Sequence, residues 1–171
     1  GKTDEYFQKF NNNNNCFSYE KKIKKSLTKY QINYSLFFYG TLRSLEVRKA
    51  VIGESSDNHN ISLGYLLKHK VFRVKNANYP LIKYTNNQVD VVKGLLINNI
   101  TFEELKKLDR FEGRNYFRQF VKVNVDQIHH DAQIYMPTKN MISEEPWDYE
   151  KWYKNDMKNF FLNEFDLNGV K

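Results

Sequence analysis

A chain of 171 residues, 40% hydrophobic and 16% aromatic, can build one domain with a full core, which excludes disorder throughout. The mean hydropathy of -0.75 reflects abundant Asn and Lys, not a missing core. No apolar run approaches the roughly 20 residues of a bilayer-spanning helix, so a helical membrane protein is excluded.

The net charge of +7 would suit a nucleic-acid or membrane-surface partner. The lysines, however, are scattered among Asn and Glu, which reads as solvation, and no such partner is expected. The N-terminus lacks the apolar core of a secretory signal. A lone cysteine, Cys16, rules out an internal disulfide and fits a reducing compartment, so the chain reads as soluble and cytoplasmic. Residues 1–33 form an Asn/Lys-rich tail, with Asn11 to Asn15 followed by Lys21, Lys22, Lys24 and Lys25, too poor in apolar surface to offset its ordering entropy. Tyr19 to Tyr30 could still make a short basic helix with Ile23 and Leu27 on one face. Gly1 in place of an initiator Met leaves room for a longer natural protein. The folded domain is expected over 34–171.

That domain opens on Leu36-Phe37-Phe38-Tyr39-Gly40-Thr41-Leu42-Arg43, a buried strand broken by a glycine where a ligand can approach the backbone. Ser44 to Gly53 predicts a short helix closed by Gly53, and Glu54 to Asn60 a loop. Ile61 to Val74 predicts one bent strand or two, bending at Lys68-His69-Lys70. Tyr79-Pro80-Leu81-Ile82 starts a short strand. Asn86-Asn87 is a hairpin turn by composition, and Val89 to Ile97 a strand with Gly94 as a bulge candidate. Thr101-Phe102-Glu103-Glu104 has capping-box form and predicts a helix through Leu105 and Leu108 that ends at Gly113. Strands follow at Phe120 to Val125 and Ala132 to Met136, with His129-His130-Asp131 as their turn. Trp152, Met157, Phe160, Phe161 and Phe165 mark a packing helix within Trp147 to Phe165. About six strands with three short helices and no long crossovers predict an α+β fold, a small mixed or antiparallel barrel rather than a doubly wound sheet.

The residues that could carry chemistry gather around the first strand. The backbone N–H groups at Gly40 to Leu42 lack ladder partners and can receive a carbonyl oxygen or carboxylate. By position alone Glu112 reads equally as a surface acid closing a helix or as an acid in a site. Adjacent His129 and His130 in a polar stretch, with no Cys or carboxylate triad nearby, do not form a metal site. Cys16 is far from any base, so no thiol nucleophile is expected.

Taken in order, Leu36 to Arg43, Gly64-Tyr65, Tyr79-Pro80-Leu81, Val92 to Leu95, and Leu108-Asp109-Arg110-Phe111-Glu112-Gly113 followed by Tyr116 and Arg118 resemble the AIG2-like gamma-glutamylcyclotransferase family. The resemblance runs through Ala132 to Tyr135 and Trp147 to Phe161, covering about residues 34 to 165. It implies a small barrel with a single cavity, in which Tyr39, Gly40, Thr41 and Leu42 receive the substrate and Glu112 carries protons. The family's preferred Glu before the Tyr is Asn115 here, and the tail has no counterpart.

The chemistry so implied needs neither metal nor cofactor. In a gamma-glutamyl compound the free α-amine closes on its own γ-carbonyl, giving the lactam 5-oxoproline and releasing the attached amine or amino acid. One carboxyl group, its pKa lifted by a poorly solvated pocket, can move both protons while backbone N–H groups hold the oxyanion. Arg43 and Arg118 are candidates for the substrate's α-carboxylate, although a strand arginine is as readily a surface ion pair. Tyr39 and Tyr116 are candidate pocket residues that could equally be core aromatics with hydroxyls at the cavity wall. The expectation is thus an acyltransferase-type cyclotransferase acting on a small gamma-glutamyl molecule. The alternative is a non-catalytic binding module whose basic tail engages an acidic partner.

Overall fold

A computed structural model of the chain describes residues 33–138 and 141–170. The tail expectations, including the helix at Tyr19 to Tyr30 and the setting of Cys16, lie outside the described residues. The chain divides into Gly1–Asn33 and Tyr34–Lys171, and the second unit holds the fold described below.

Five strands close a barrel and three more make a second sheet. β1 (Asn33–Phe38), β2 (Ile61–Leu67), β5 (Val91–Thr101), β6 (Tyr116–Val125) and β7 (Ile128–Pro137) form the barrel in the order β1-β5-β2-β6-β7. β1 closes it by lying parallel to β7, Leu36 opposite Gln133. The remaining three, β3 (His69–Val74), β4 (Pro80–Tyr84) and β8 (Ser143–Pro146), are ordered β4-β3-β8. The expected α+β barrel is therefore present, with eight strands among the described residues where about six were expected. Short β8, lacking hydrophobic alternation, carried no signal.

Leu36, Phe37 and Phe38 are all buried, as a strand covered on both faces requires. β2 buries Gly64 and Leu66 and exposes Leu63, Tyr65 and Leu67, the alternation of a strand covered on one face only. Phe37, Leu66, Val92, Leu96, Val123 and Ile134 meet in the barrel core. Gly64 and Gly94 stand opposite each other in β2 and β5. A Cβ at Gly94 would lie 2.5 Å from the Phe38 carbonyl oxygen and 2.6 Å from Phe37 Cζ. The expected bulge at Gly94 is absent, and pairing runs unbroken from Ile61↔Ile97 to Leu67↔Val91. The glycine is there because the Phe37 ring fills the space a side chain would need.

Ser44 caps α1 (Leu45–Ile52) by accepting from the Val47 N–H, and Gly53 ends it at φ 81°. The polar segment after it forms a 3₁₀ turn over Gly53–Asn58 instead of an open loop. Thr101 makes the predicted capping box with Glu104, opening α2 (Phe102–Glu112), which Gly113 terminates at φ 73°. The closing helix, α3, starts at Tyr149–Lys151, passes through a π-helical turn at Trp152–Asp156, and continues as Met157–Asn163. The π turn inserts an extra residue and shifts the phase of the helix, so Trp152 and Phe160 are the buried pair.

Two turns fall elsewhere than composition placed them. His129-His130-Asp131 lie inside β7, and the β6–β7 turn is Asp126-Gln127, both at positive φ (49° and 66°), joining Val125 to its partner Ile128. A two-residue turn of that hand favours Asn-Gly or Asp-Gly, so Asp-Gln gave no signal. Asn86-Asn87 is not a hairpin turn either, because β4 pairs with β3 and β5 with β2. That segment crosses between sheets at Lys68, whose N–H donates to the Asp90 carbonyl and whose carbonyl accepts from Thr85. Lys68, at φ 64°, is the predicted bend and separates β2 from β3.

Candidate functional site

β1 delivers Phe38 and Tyr39 to the end of the barrel, where Gly40 turns the chain into a 3₁₀ turn, Thr41–Arg43. The first hydrogen bond of that turn runs from Arg43 N–H to the Gly40 carbonyl. The N–H groups of Thr41 and Leu42 precede it and gain no acceptor within the turn, and no side chain caps it. Pro80 packs directly on Gly40, where a Cβ would fall 2.9 Å from Pro80 Cγ. Close approach, not positive φ, is what demands glycine here.

The Pro80 wall is fixed from behind by the closing helix. Trp152 Nε1–H donates to the Asn78 carbonyl at 2.6 Å, and the Glu164 carboxylate accepts from the Asn78 N–H at 2.8 and 3.0 Å. Burial raises the Glu164 pKa, against which the Asn78 hydrogen bonds and the Arg73 charge act. Aromatic packing of Tyr79 on Phe160 extends the same support.

Glu112 is the last residue of α2 and reaches the same pocket as the 39–42 turn, Tyr79, Pro80, Tyr116 and Tyr135. The pocket holds about 400 Å³ of space not filled by atoms, part of it open to solvent. Burial, and after it the charge of Asp109, raises the Glu112 pKa to about 8. Its place at a helix C-terminus, the negative end of the helix dipole, disfavours the anion in the same direction. Asp109 sits one turn earlier. It accepts from Arg118 Nε at 2.9 Å and from the Tyr135 hydroxyl at 2.6 Å.

Four phenols line the pocket with this acid, and burial above all raises each, those of Tyr39, Tyr116 and Tyr135 well above the ordinary range and that of Tyr79 above it, so they are hydrogen-bond donors and not bases. Tyr39 donates to the Tyr135 carbonyl and Tyr116 to the Pro80 carbonyl, both at 2.7 Å. The core-aromatic and the pocket-wall readings of Tyr39 and Tyr116 thus describe one arrangement.

Of the residues singled out in the sequence, Tyr39, Gly40, Thr41, Leu42, Glu112 and Tyr116 come together around one pocket. Arg43 and Arg118 do not line it. Arg118 is committed to Asp109 and, through Nη1, to Gln133 Oε1 at 2.6 Å. Arg43 turns away to stack 4.1 Å from the centroid of the Tyr149 ring. Sequence reasoning passed over Asp109, Tyr79, Tyr135 and Val170. Asp109 was recoverable, because a carboxylate three residues before Glu112 shares its helix face. Val170 was not: it enters the pocket through its N–H bond to the Phe111 carbonyl, a long-range contact with no local signature. Among the described residues no three His, Cys, Asp or Glu side chains are grouped to hold a metal, and no helix is long and apolar enough to cross a membrane.

The gamma-glutamyl cyclotransferase, AIG2-like family model matches residues 36–154, a span that includes the 39–42 turn and Glu112. AIG2-like protein C of Arabidopsis thaliana is 32% identical over 133 residues, which cover 74% of this chain and 73% of that protein. Among solved structures, the solution structure of At5g39720.1 from Arabidopsis thaliana aligns with a TM-score of 0.54 at 24% identity, covering 75% of this chain and 86% of that one. A second Arabidopsis thaliana solution structure, of At3g28950.1, aligns at 0.57 and 21% identity over 77% of this chain and 79% of that one. At such identities the structural likeness speaks for the fold alone.

Proposed function

The chain belongs to the gamma-glutamyl cyclotransferase, AIG2-like family, and from that premise we propose that it is a cyclotransferase that closes a gamma-glutamyl group to 5-oxoproline and releases the attached amine, with Glu112 as general base and acid. The observation that carries the reading is that Glu112, its pKa raised to about 8, shares a pocket with Thr41 and Leu42, whose N–H groups gain no acceptor within their own turn.

The γ-carbonyl oxygen lies against the N–H groups of Thr41 and Leu42. Ionised Glu112 takes a proton from the substrate's α-ammonium group, a transfer close to balanced because the raised carboxyl pKa comes within about a unit or two of an α-ammonium group. The amine nitrogen bonds to the γ-carbon, and the developing oxyanion is stabilised by the two amides, a contribution of roughly 3 kcal/mol each by analogy with other acyl-transfer sites. Protonated Glu112 then gives its proton to the leaving nitrogen as the bond from that nitrogen to the γ-carbon breaks, and, ionised again, takes the second proton from the ring nitrogen and passes it to the released amine. The lactam and a free amine result, with all atoms supplied by the substrate. The surrounding phenols keep water away from Glu112 and hold the walls.

The test is 5-oxoproline release from gamma-glutamyl compounds, followed by mass spectrometry for the parent chain and for Glu112→Gln. Release by the parent and none by a folded Glu112→Gln supports the reading. Full turnover by the variant removes Glu112 from the reaction, and no release from any gamma-glutamyl compound leaves a binding module of the same fold.

A further inference from the structure

α1 buries one charged residue. Arg48 stands in the buried stripe of that helix with Val47, Val51 and Ile52, and only 4% of its surface is exposed. An apolar side chain would satisfy packing there, whereas a guanidinium taken out of water costs free energy unless acceptors meet it. The acceptors belong to the 3₁₀ turn: Arg48 Nη1 donates to the Leu42 carbonyl at 2.8 Å and to the Arg43 carbonyl at 2.7 Å. Its Nε is enclosed without an acceptor among the described residues. Burial lowers the Arg48 pKa and the charges of Tyr149 and Glu46 act to raise it, and a guanidinium stays protonated in such a setting. Glu46 is held in turn by the hydroxyls of Ser44 at 2.7 Å and Tyr153 at 2.6 Å.

A carbonyl and the N–H of the next residue belong to one peptide unit, so a bond accepted at the carbonyl polarises the N–H at the other end. Two such relays start at Arg48 Nη1. In the first, the Leu42 carbonyl takes the bond, the Arg43 N–H of the same unit donates to the Gly40 carbonyl at 3.0 Å, and the unit so reached carries the Thr41 N–H. In the second, the Arg43 carbonyl takes the bond, the Ser44 N–H donates to the Thr41 carbonyl at 3.0 Å, and that unit carries the Leu42 N–H. One buried cation thus stands behind both of the N–H groups assigned to the oxyanion.

We propose that Arg48 is a positioning residue for the cyclotransferase reaction, holding the 3₁₀ turn by two carbonyls and, through the two relays, strengthening the Thr41 and Leu42 N–H groups as oxyanion donors. The inference rests on the cyclotransferase reading above and extends its machinery to a side chain outside the pocket lining. The charge on the oxyanion develops only toward the transition state, so the contribution falls on kcat and leaves KM nearly unchanged.

The experiment follows 5-oxoproline release from gamma-glutamyl-alanine or, where the parent leaves that untouched, from the gamma-glutamyl compound it turns over fastest. Three variants separate charge from donor: Arg48→Lys keeps both, Arg48→Gln keeps a donor without the charge, and Arg48→Met keeps neither. Val51→Ala, which truncates a buried residue about one turn further along the same helix, is the control for lost packing. Expected are kcat values about threefold, tenfold and thirtyfold below the parent in the Lys, Gln and Met variants, with KM within about twofold throughout. Val51→Ala should keep kcat within about twofold of the parent although it melts earlier. Parental kcat in a folded Arg48→Met, or a loss in Arg48→Met no greater than in Val51→Ala, overturns the role and leaves the cyclotransferase reading standing. If Arg48→Met does not fold, the other two decide: a kcat several-fold lower in Arg48→Gln than in Arg48→Lys at the same KM supports the relay, and equal kcat overturns it. If the parent releases 5-oxoproline from no gamma-glutamyl compound, both readings fall together.

Discussion

Asp109 and Glu112 stand one helical turn apart at the end of α2, and the charge of the first raises the proton affinity of the second. The two carboxyls have opposite settings. Asp109 is partly exposed and held by Arg118 and Tyr135, whereas Glu112 faces the pocket without a donor among the described residues. Environment thus favours the protonated form of Glu112, while Asp109 is taken up by its two donors.

On the proposed mechanism, the raised Glu112 pKa sets the pH dependence of turnover. With the Glu112 pKa near 8, roughly one carboxyl in ten is ionised at pH 7. As base it must be ionised, so kcat/KM should rise with pH along an acidic limb whose midpoint lies near 8. Replacing Asp109 with Asn removes a negative charge and leaves Arg118 without its carboxylate, and both changes favour ionised Glu112. The limb should move to lower pH, as measured in a kcat/KM profile over pH 5 to 10. A limb unmoved in Asp109→Asn would show that burial alone sets the proton affinity.

Glu112→Gln should lower turnover by about a thousandfold or more while leaving the circular dichroism spectrum unchanged. Its stability should carry a sign as well. The folded pKa of Glu112 lies above the unfolded value of about 4.3, so the native state gains stability from the bound proton below that value and loses it progressively as pH rises toward 8. A neutral Gln avoids that loss. Thermal melts should therefore place Glu112→Gln level with the parent near pH 4 and above it at pH 9.

Gly40 and Gly94 predict two different failures from one added methyl group. At Gly94 the new Cβ meets a backbone oxygen at 2.5 Å and the enclosed Phe37 ring, neither of which can yield cheaply. Gly94→Ala should cost about 3 kcal/mol or more in chemical denaturation. At Gly40 it meets the Pro80 ring at 2.9 Å, beside an open pocket. Gly40→Ala should cost less, roughly 1–2 kcal/mol, yet reduce turnover strongly, because the Thr41 and Leu42 amides shift with the turn. Gly40→Ala at parental activity would argue against those amides as oxyanion donors.

How much of this was legible in the sequence depended on the range of the forces involved. The cap at Thr101, the stops at Gly53 and Gly113 and the bend at Lys68 are local, and each lies where residue chemistry places it. The 39–42 turn and Glu112 were found by pattern and motif, and the barrel joins them across more than 70 residues of chain. Pairing partners were the weak point. Asn86-Asn87 has the composition of a hairpin turn, but which strands its neighbours join is settled by the barrel closing elsewhere. The roles given to Arg43 and Arg118 needed side-chain direction, which neither composition nor spacing carries. One is drawn to Tyr149 and the other to Asp109.

Glu104 offers a test away from the pocket. Its carboxylate accepts from the Thr101 N–H at 2.9 Å and from the Ser55 hydroxyl at 2.6 Å, and lies 2.8 Å from His59 Nε2. It thereby ties the start of α2 to the 3₁₀ turn after α1. Burial raises its pKa, but the Ser55 and Thr101 hydrogen bonds and then His59 outweigh that, leaving it lowered. A lowered folded pKa means a stabilising contribution that is present above the unfolded value of about 4.3 and lost as pH falls through the folded one. Glu104→Ala breaks the capping box and leaves His59 buried without its carboxylate, so it should cost about 2–3 kcal/mol at pH 7. The deficit should shrink as pH is lowered from 5 toward 3, because the parent then loses the same contribution by protonation. Denaturation midpoints of parent and variant across that range would measure it, and a deficit independent of pH would assign the loss to packing instead of charge.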